Sequence, residues 1–307
     1  MLIWKRSAAA CRCIEMIIVK LIGGLGNQLF QYAAARRISY LHHIPLKLDI
    51  SEFERYKLHN YSLMHFNIIE EIATQDEIEK FKPQHVFSKL AFKLLYRFHA
   101  LNIFNQFYIM EHHFHFDPNL LKINRDAYLD GYWQSEKYFL DIEPVIRKEL
   151  SIKTPPDHEN EVLINKIANS DAVSLHIRRA DYVADSHTNT IHGACSLDYY
   201  HHAVDKVAEK VQSPHFFIFS DDPAWALDNL KLKYPATFVT KNGPDKNYED
   251  LRLMSLCRHN IIANSTFSWW GAWLNAHPDK MVIAPQKWFN TDKMDPSDLM
   301  PQRWIKI

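Results

Sequence analysis

Five short apolar runs punctuate the second half of the chain, at residues 172–176, 215–219, 236–240, 260–263 and 281–284. Stretches of helical spacing separate them, near 197–211, 224–232, 248–257 and 267–276. A strand that is always followed by a helix must return parallel to its predecessor, because a crossover helix covers one face of the sheet on the way back. The rhythm therefore predicts a parallel, doubly wound α/β sheet. The first half begins the same way. Residues 16–22 form a β-branched run bounded by glycine, 27–43 reads as a helix, 45–49 as a second strand, and 128–133 as a strand leading into a helix over 135–150. Residues 51–125 are rich in aromatic residues and histidine, with a helix expected over 88–100. Thr154–Pro155–Pro156–Asp157 is the best boundary between the halves. With 307 residues the chain is long enough for two domains of moderate size.

In open parallel sheets ligands sit at the carboxyl ends of the strands, so the residues after each apolar run carry the functional information. After Ala172–Val173–Ser174–Leu175 come His176, Ile177, Arg178, Arg179, Ala180, Asp181 and Tyr182. Arginine matches phosphate because its planar fork donates two parallel hydrogen bonds and keeps its charge. The run 215–219 ends in Ser220–Asp221–Asp222–Pro223, and the run 260–263 in Asn264–Ser265–Thr266–Phe267–Ser268–Trp269–Trp270–Gly271. The carboxylates and hydroxyls suit helix caps equally well. Taken together the three segments place cations, carboxylates, hydroxyls and a helix start on one sheet edge. That set fits a nucleoside diphosphate, with arginines on phosphate and a carboxylate on base or ribose.

The glycine loop Gly23–Gly24–Leu25–Gly26 holds three of the seven glycines. It is not a dinucleotide fingerprint, because Leu29 stands where a small residue is needed, and it has no Gly-Lys-Ser/Thr ending. It allows close backbone approach and delivers Asn27 and Gln28 at a helix start, as one face of a cleft. Acidic and basic residues balance at 36 each, which disfavours a nucleic-acid binder. Cys11, Cys13, Cys195 and Cys257 are scattered, with no zinc spacing and too few for a disulfide framework, so free thiols of a reducing compartment are expected. The histidines of Glu111–His112–His113–Phe114–His115 lack an evident third ligand, and no Asp-x-Asp pair occurs, so no metal site is expected. No apolar run is long enough to span a membrane. Residues 1–15 are interrupted by Arg12 and Glu15, unlike a signal peptide.

Five segments in order, Gly23 to Ala33, Asp130 to Gln134, His176 to Tyr182, Phe219 to Asp222 and Asn264 to Gly271, resemble the motifs of the bacterial α-1,2-fucosyltransferases, glycosyltransferase family eleven. One departure is Ala180, where the family commonly has glycine. The resemblance implies a GT-B-like architecture, two Rossmann-like domains facing across a cleft. Residues 16–153 would hold mostly the acceptor and 154–307 the GDP-fucose. It implies inverting, metal-independent transfer of L-fucose to the 2-hydroxyl of a galactoside. In bacteria the acceptor would be a surface glycan such as O-antigen, which implies a cytoplasmic protein peripheral to the membrane without a transmembrane helix.

On that reading Arg178 and Arg179 bind the charge that develops on the β-phosphate. Asp181 is either the general base or the partner that locks an arginine, and Glu249 and Asp250 are alternative bases. His176 orients the loop or touches phosphate, and Asp222 contacts guanosine. Ser265, Thr266 and Ser268 hold phosphate, while Asn27 and Gln28 close over the fucose. Trp133, Trp269 and Trp270 are expected in the core rather than on sugar. The rival readings are another fucosyl linkage and a non-catalytic nucleotide-sugar binder on the same fold.

Overall fold

The computed structural model describes residues 16–55, 59–81, 107–180, 190–291 and 294–307. The helix expected over 88–100 lies outside these residues, as do Asp181 and Tyr182. In the first half, β1 (Ile17–Lys20), β2 (Leu46–Asp49), β3 (Tyr108–Met110) and β4 (Ala127–Asp130) form a parallel sheet in the order β2-β1-β4-β3. It is accompanied by α1 (Leu25–His42), α2 (Glu52–Arg55), α3 (Gln75–Phe81) and α4 (Glu143–Glu149). In the second half, α5 (His158–Ala168) leads into β5 (Asp171–Ile177). There follow α6 (Leu197–Ala208), β6 (Pro214–Ser220), α7 (Pro223–Asn229), β7 (Ala236–Val239), α8 (Asn247–Leu256), β8 (His259–Ile261), α9 (Thr266–Leu274), β9 (Val282–Ala284) and β10 (Ile305–Lys306). These six strands form one parallel sheet in the order β10-β9-β8-β5-β6-β7.

The strands read correctly because they are covered on both faces, which demands continuous apolar runs. Ile17, Ile18 and Val19 are fully buried, as are Val173, Leu175 and Phe216. The helix expected over 135–150 is interrupted. Two short 3₁₀ turns, Glu136–Tyr138 and Leu140–Ile142, precede α4. Phe139 joins the two turns at φ −144° and ψ 7°, outside the helical region, and its fully buried ring lies 5.4 Å from Trp270. Pro144 then restarts the helix in its first turn, where a missing N–H costs nothing. The helix α5 follows an Asp157 cap that accepts from the N–H of Asn160. The short edge strands β3 and β10, three and two residues long, have too little pattern to be read in advance.

The two sheets share one apolar core. Phe30 of α1 lies 4.5 Å from Trp269 and 5.0 Å from Trp270 of α9, and Phe139 lies 5.5 Å from Trp273. All five rings are essentially inaccessible. Trp269 and Trp270 are therefore core residues, as is Trp133 at 2% exposure. Glycine permits the close approach of α1 to α9. A Cβ on Gly26 would lie 2.5 Å from both the Phe267 nitrogen and the Thr266 carbonyl carbon. Backbone atoms cannot yield as a flexible side chain can, so Gly26→Ala should lower the unfolding free energy by about 1–3 kcal/mol or more. Gly243→Ala, with nothing within 4 Å of the added carbon, should leave it nearly unchanged. Chemical denaturation of the two variants side by side checks this.

Candidate active site

Each sheet has a switch point where the strand order reverses, and a crevice opens there. In the second sheet the chain runs outward through β5, β6 and β7, then returns to β8 on the opposite flank of β5. The crevice lies between the loop after β5, with Arg178 and Arg179, and the loop after β8, with Asn264 to Thr266. In the first sheet β2 and β4 flank β1 on opposite sides. Its crevice lies between the loop Gly23–Gly24 and the turn Gly131–Gln134. The edges meet at Asn27, whose Oδ1 accepts from Gln134 Nε2 at 3.0 Å and from Thr266 Oγ1 at 2.9 Å. Three of the sequence segments thus converge on one amide oxygen.

The arginine loop is held from behind by carboxylates. Asp221 accepts the backbone N–H groups of Arg179 at 2.9 Å and Ala180 at 3.1 Å, and its Oδ2 lies 3.3 Å from Arg178 Nε. Asp222 caps α7 by accepting from Trp225 N–H at 3.2 Å and lies 3.8 Å from an Arg179 nitrogen. The Arg179 guanidinium stacks over the Trp225 ring at 4.5 Å. Both arginines keep roughly a quarter of their side-chain surface open. Ala180 does not take a positive φ, so the alanine fits where the family has glycine. Asp221 is one of the two strand-end carboxylates read from the sequence, though without a role of its own, and nothing in the spacing marks Trp225. Asp222 is occupied as the cap, which leaves Asp221 facing the arginine loop.

His176 is 4% exposed beneath this loop, its ring 5.6 Å from Phe267 at the start of α9. Burial and the neighbouring Arg178 charge push its pKa down to about 3, so the imidazole is neutral. Its Nδ1 has no hydrogen-bond partner. Ser265 is the N-cap residue of α9 but makes no side-chain capping bond. Ser268 is buried, donating to the Ser265 carbonyl at 3.3 Å. Gln28 is fully buried within its own half. It donates to the carbonyls of Gly23 and Asn60 and accepts the Ser62 N–H, each at 2.9 Å. The structure therefore brings Arg178, Arg179, Asp222, Ser265, Thr266 and Asn27 to the meeting edges. It turns Gln28 and Ser268 into the packing instead, because an amide or hydroxyl buried there must satisfy itself locally. Asn264 is also internal, donating to the carbonyls of His192, Gly193 and Trp288.

The first sheet's edge carries carboxylates in different states. Asp130 pairs with Lys20 at 3.5 Å and accepts from the Tyr108 hydroxyl. Asp49 accepts from the Tyr128 hydroxyl at 2.6 Å. Glu111, directly after β3, accepts the N–H groups of Tyr132 at 2.7 Å and Trp133 at 3.1 Å. Of the alternative bases, Glu249 is 2% exposed and paired with Arg252 at 2.8 Å. Asp250 accepts from Asn242 at 2.8 Å, and burial raises its pKa to about 7. His113 and His115 stack 3.5 Å apart, and among the described residues no three acidic, cysteine or histidine side chains gather as a metal set. A groove of about 570 Å3 opens at the opposite, amino-terminal edge of the second sheet. Two of its cations are already engaged: Arg258 pairs with Asp171 at 2.8 Å, and Lys280 donates to the carbonyls of Ala272 and Asn275 at the end of α9.

Comparison with known proteins agrees with this layout. A solved fucosyltransferase, NodZ from Bradyrhizobium, superimposes with a TM-score of 0.53 at 15% identity, covering 84% of this chain and 91% of that one. That likeness is one of fold, and the architecture is GT-B-like. An alpha-1,2-colitosyltransferase of Escherichia coli is 31% identical, covering 96% of this chain and 99% of the relative. The O-antigen biosynthesis glycosyltransferase WbnK of Escherichia coli is 34% identical, covering 94% and 99%. The galactoside 2-alpha-L-fucosyltransferase Sec1 of Mus musculus is 26% identical over 58% of this chain and 50% of its own. The description Glycosyl transferase family 11 matches residues 16–307. This chain, with its five segments gathered on two facing sheet edges, belongs to glycosyl transferase family 11.

Proposed function

We propose that the protein transfers L-fucose from GDP-β-L-fucose to the 2-hydroxyl of a galactoside, with inversion and without a metal ion. The observation that carries this reading is the pair Arg178 and Arg179, fixed at the switch point of the second sheet by Asp221 and Asp222. As the bond from the sugar C1 to the β-phosphate oxygen breaks, its electron pair stays on the phosphate. Preorganised guanidinium donors stabilise that charge most where it develops. The start of α9, with Ser265 and Thr266, adds backbone N–H groups and a positive helix end. Asp222 lies beside the arginines as the group for guanosine or ribose. The second half then holds the donor and the first half the acceptor.

The 2-linkage is supported by the names of the relatives, since both the alpha-1,2-colitosyltransferase and the galactoside 2-alpha-L-fucosyltransferases carry it. A second donor reading, colitosyl in place of fucosyl, is favoured by the higher identity over nearly the whole chain. WbnK supports an O-antigen-type acceptor. Among the described residues no helix is long and apolar enough to cross a membrane, and a lipid-linked acceptor would be met at the cytoplasmic membrane surface. A screen of fucosyl and colitosyl nucleotide donors against galactosides, with the product linkage read by NMR, tests donor and acceptor together. A product linked elsewhere than at the 2-position would sink the linkage.

Removing either arginine should leave the fold standing, because partly exposed ion pairs of this kind add only ~0–1 kcal/mol. Arg178→Ala and Arg179→Ala should each lower transfer by about 10²–10³-fold with melting temperatures close to that of the parent. An active double variant would overturn the phosphate assignment. Transfer should also persist in excess EDTA, and strict dependence on added magnesium or manganese would refute the metal-free mechanism.

A further inference from the structure

Resting on the transfer reaction above, we propose that Glu111 takes the proton from the incoming acceptor hydroxyl. The first support is position. Glu111 follows β3 at the carboxyl edge of the first sheet and touches the turn that forms one wall of its switch-point crevice. A Cβ on Gly131 would lie 2.4 Å from the Glu111 Cβ, so the glycine exists to admit this side chain. The same turn places the Tyr132 side chain, 39% exposed, at the crevice rim, where an aromatic face suits a sugar ring. It continues into Gln134, which binds Asn27 at the junction of the two sheets.

The second support is company. Most other carboxylates near the meeting edges are neutralised or engaged: Asp130 by Lys20, Glu249 by Arg252, Asp221 and Asp222 by the arginine loop, Asp49 by Tyr128. Among the described residues Glu111 accepts from just two neutral backbone N–H groups, and a carboxylate has room for two further hydrogen bonds. Asp130 on β4 and the Tyr138 hydroxyl are the titratable groups that face it, and no lysine or arginine among the described residues does. The third support is strain. Trp133 takes φ of +54° without being glycine. Such backbone persists where its surroundings impose it, and it gathers at active sites.

Burial, reinforced by Asp130, raises the Glu111 pKa to about 7 against the pull of the two N–H groups. A base poised near the working pH accepts a proton most effectively. The step balances: the acceptor oxygen forms its bond to C1, its proton passes to a Glu111 oxygen, and the C1–phosphate pair departs with GDP. The carboxylic acid then loses its proton to solvent.

The base acts ionised, so transfer should rise with pH through about 7. Glu111→Gln should lower kcat by about 10²–10⁴-fold, remove the acidic limb of the kcat/KM profile, and leave GDP affinity within twofold. Glu111→Asp keeps the charge and should retain the limb at reduced kcat, which covers the case in which the glutamine variant does not fold. Asp250→Asn removes the other carboxylate with a comparably raised pKa, and the limb should survive in it. A folded Glu111→Gln enzyme with an unchanged limb, or loss of the limb in Asp250→Asn, overturns the assignment. These comparisons need a wild-type enzyme that makes product. If the parent transfers no sugar from any GDP donor, the transferase reading fails, separately from the role of Glu111.

Discussion

The abutment of two helix starts organises this molecule. The first turn of α1 lies so close to the first turn of α9 that only glycine fits at position 26. Asn27 then accepts from Gln134 of one half and Thr266 of the other. Behind this contact the rings of Phe30, Phe139, Trp269, Trp270 and Trp273 interlock, so the halves share a core rather than a wet interface. Arg147 extends the seam, stacking over Trp273 at 4.3 Å and donating to the last carbonyls of α9. Both helices bring their positive ends to the same place. That convergence is unfavourable in isolation and would be offset by an anion, the ligand class proposed for this edge.

The charged groups around that site follow one logic. Arginines proposed to meet phosphate must be held in place without being neutralised. Asp221 does this largely through backbone N–H groups, fixing the loop while leaving each guanidinium partly open. Asp222 divides itself between a helix cap and a looser contact with Arg179. Trp225 adds a flat surface that orients Arg179 without consuming its hydrogen-bond donors. His176, buried and neutral, sits beneath the arginines and adds no positive charge of its own.

The strands were legible because parallel strands covered on both faces leave continuous apolar runs, and those of β5 and β6 were placed to within two residues. The four helices α6 to α9 were equally plain, whereas α5 (His158–Ala168) went unread. Order failed where tertiary packing overrides local preference. The region 135–142 carries helical residues, yet the aromatic seam pulls Phe139 inward and breaks the helix. For the site, residue types at strand ends located the arginines, but not which polar groups face inward. Gln28 lies beside Asn27 in sequence, and one rotation along the helix separates a junction residue from a buried one. Glu111 sat inside a histidine-rich segment that was weighed for metal and set aside for want of a third ligand. Its significance depends on a turn twenty residues later, a relation that spacing alone does not carry.

Splitting the chemistry between two sheets has a consequence for the seam. In the proposed reaction leaving-group charge is met by the second sheet's arginines, while the candidate proton acceptor belongs to the first. The two must act on one carbon–oxygen exchange, so the distance between the sheets is itself a catalytic variable, and misplacement by about 1 Å can cost 10²-fold in rate. A hinge would leave that distance loose. A core of interlocked aromatic rings and a glycine with backbone on its open side fix it instead, with the turn from Gly131 to Gln134 tying the carboxylate's position to the same junction. The seam is thus the element through which a substitution far from any substrate would reach the reaction.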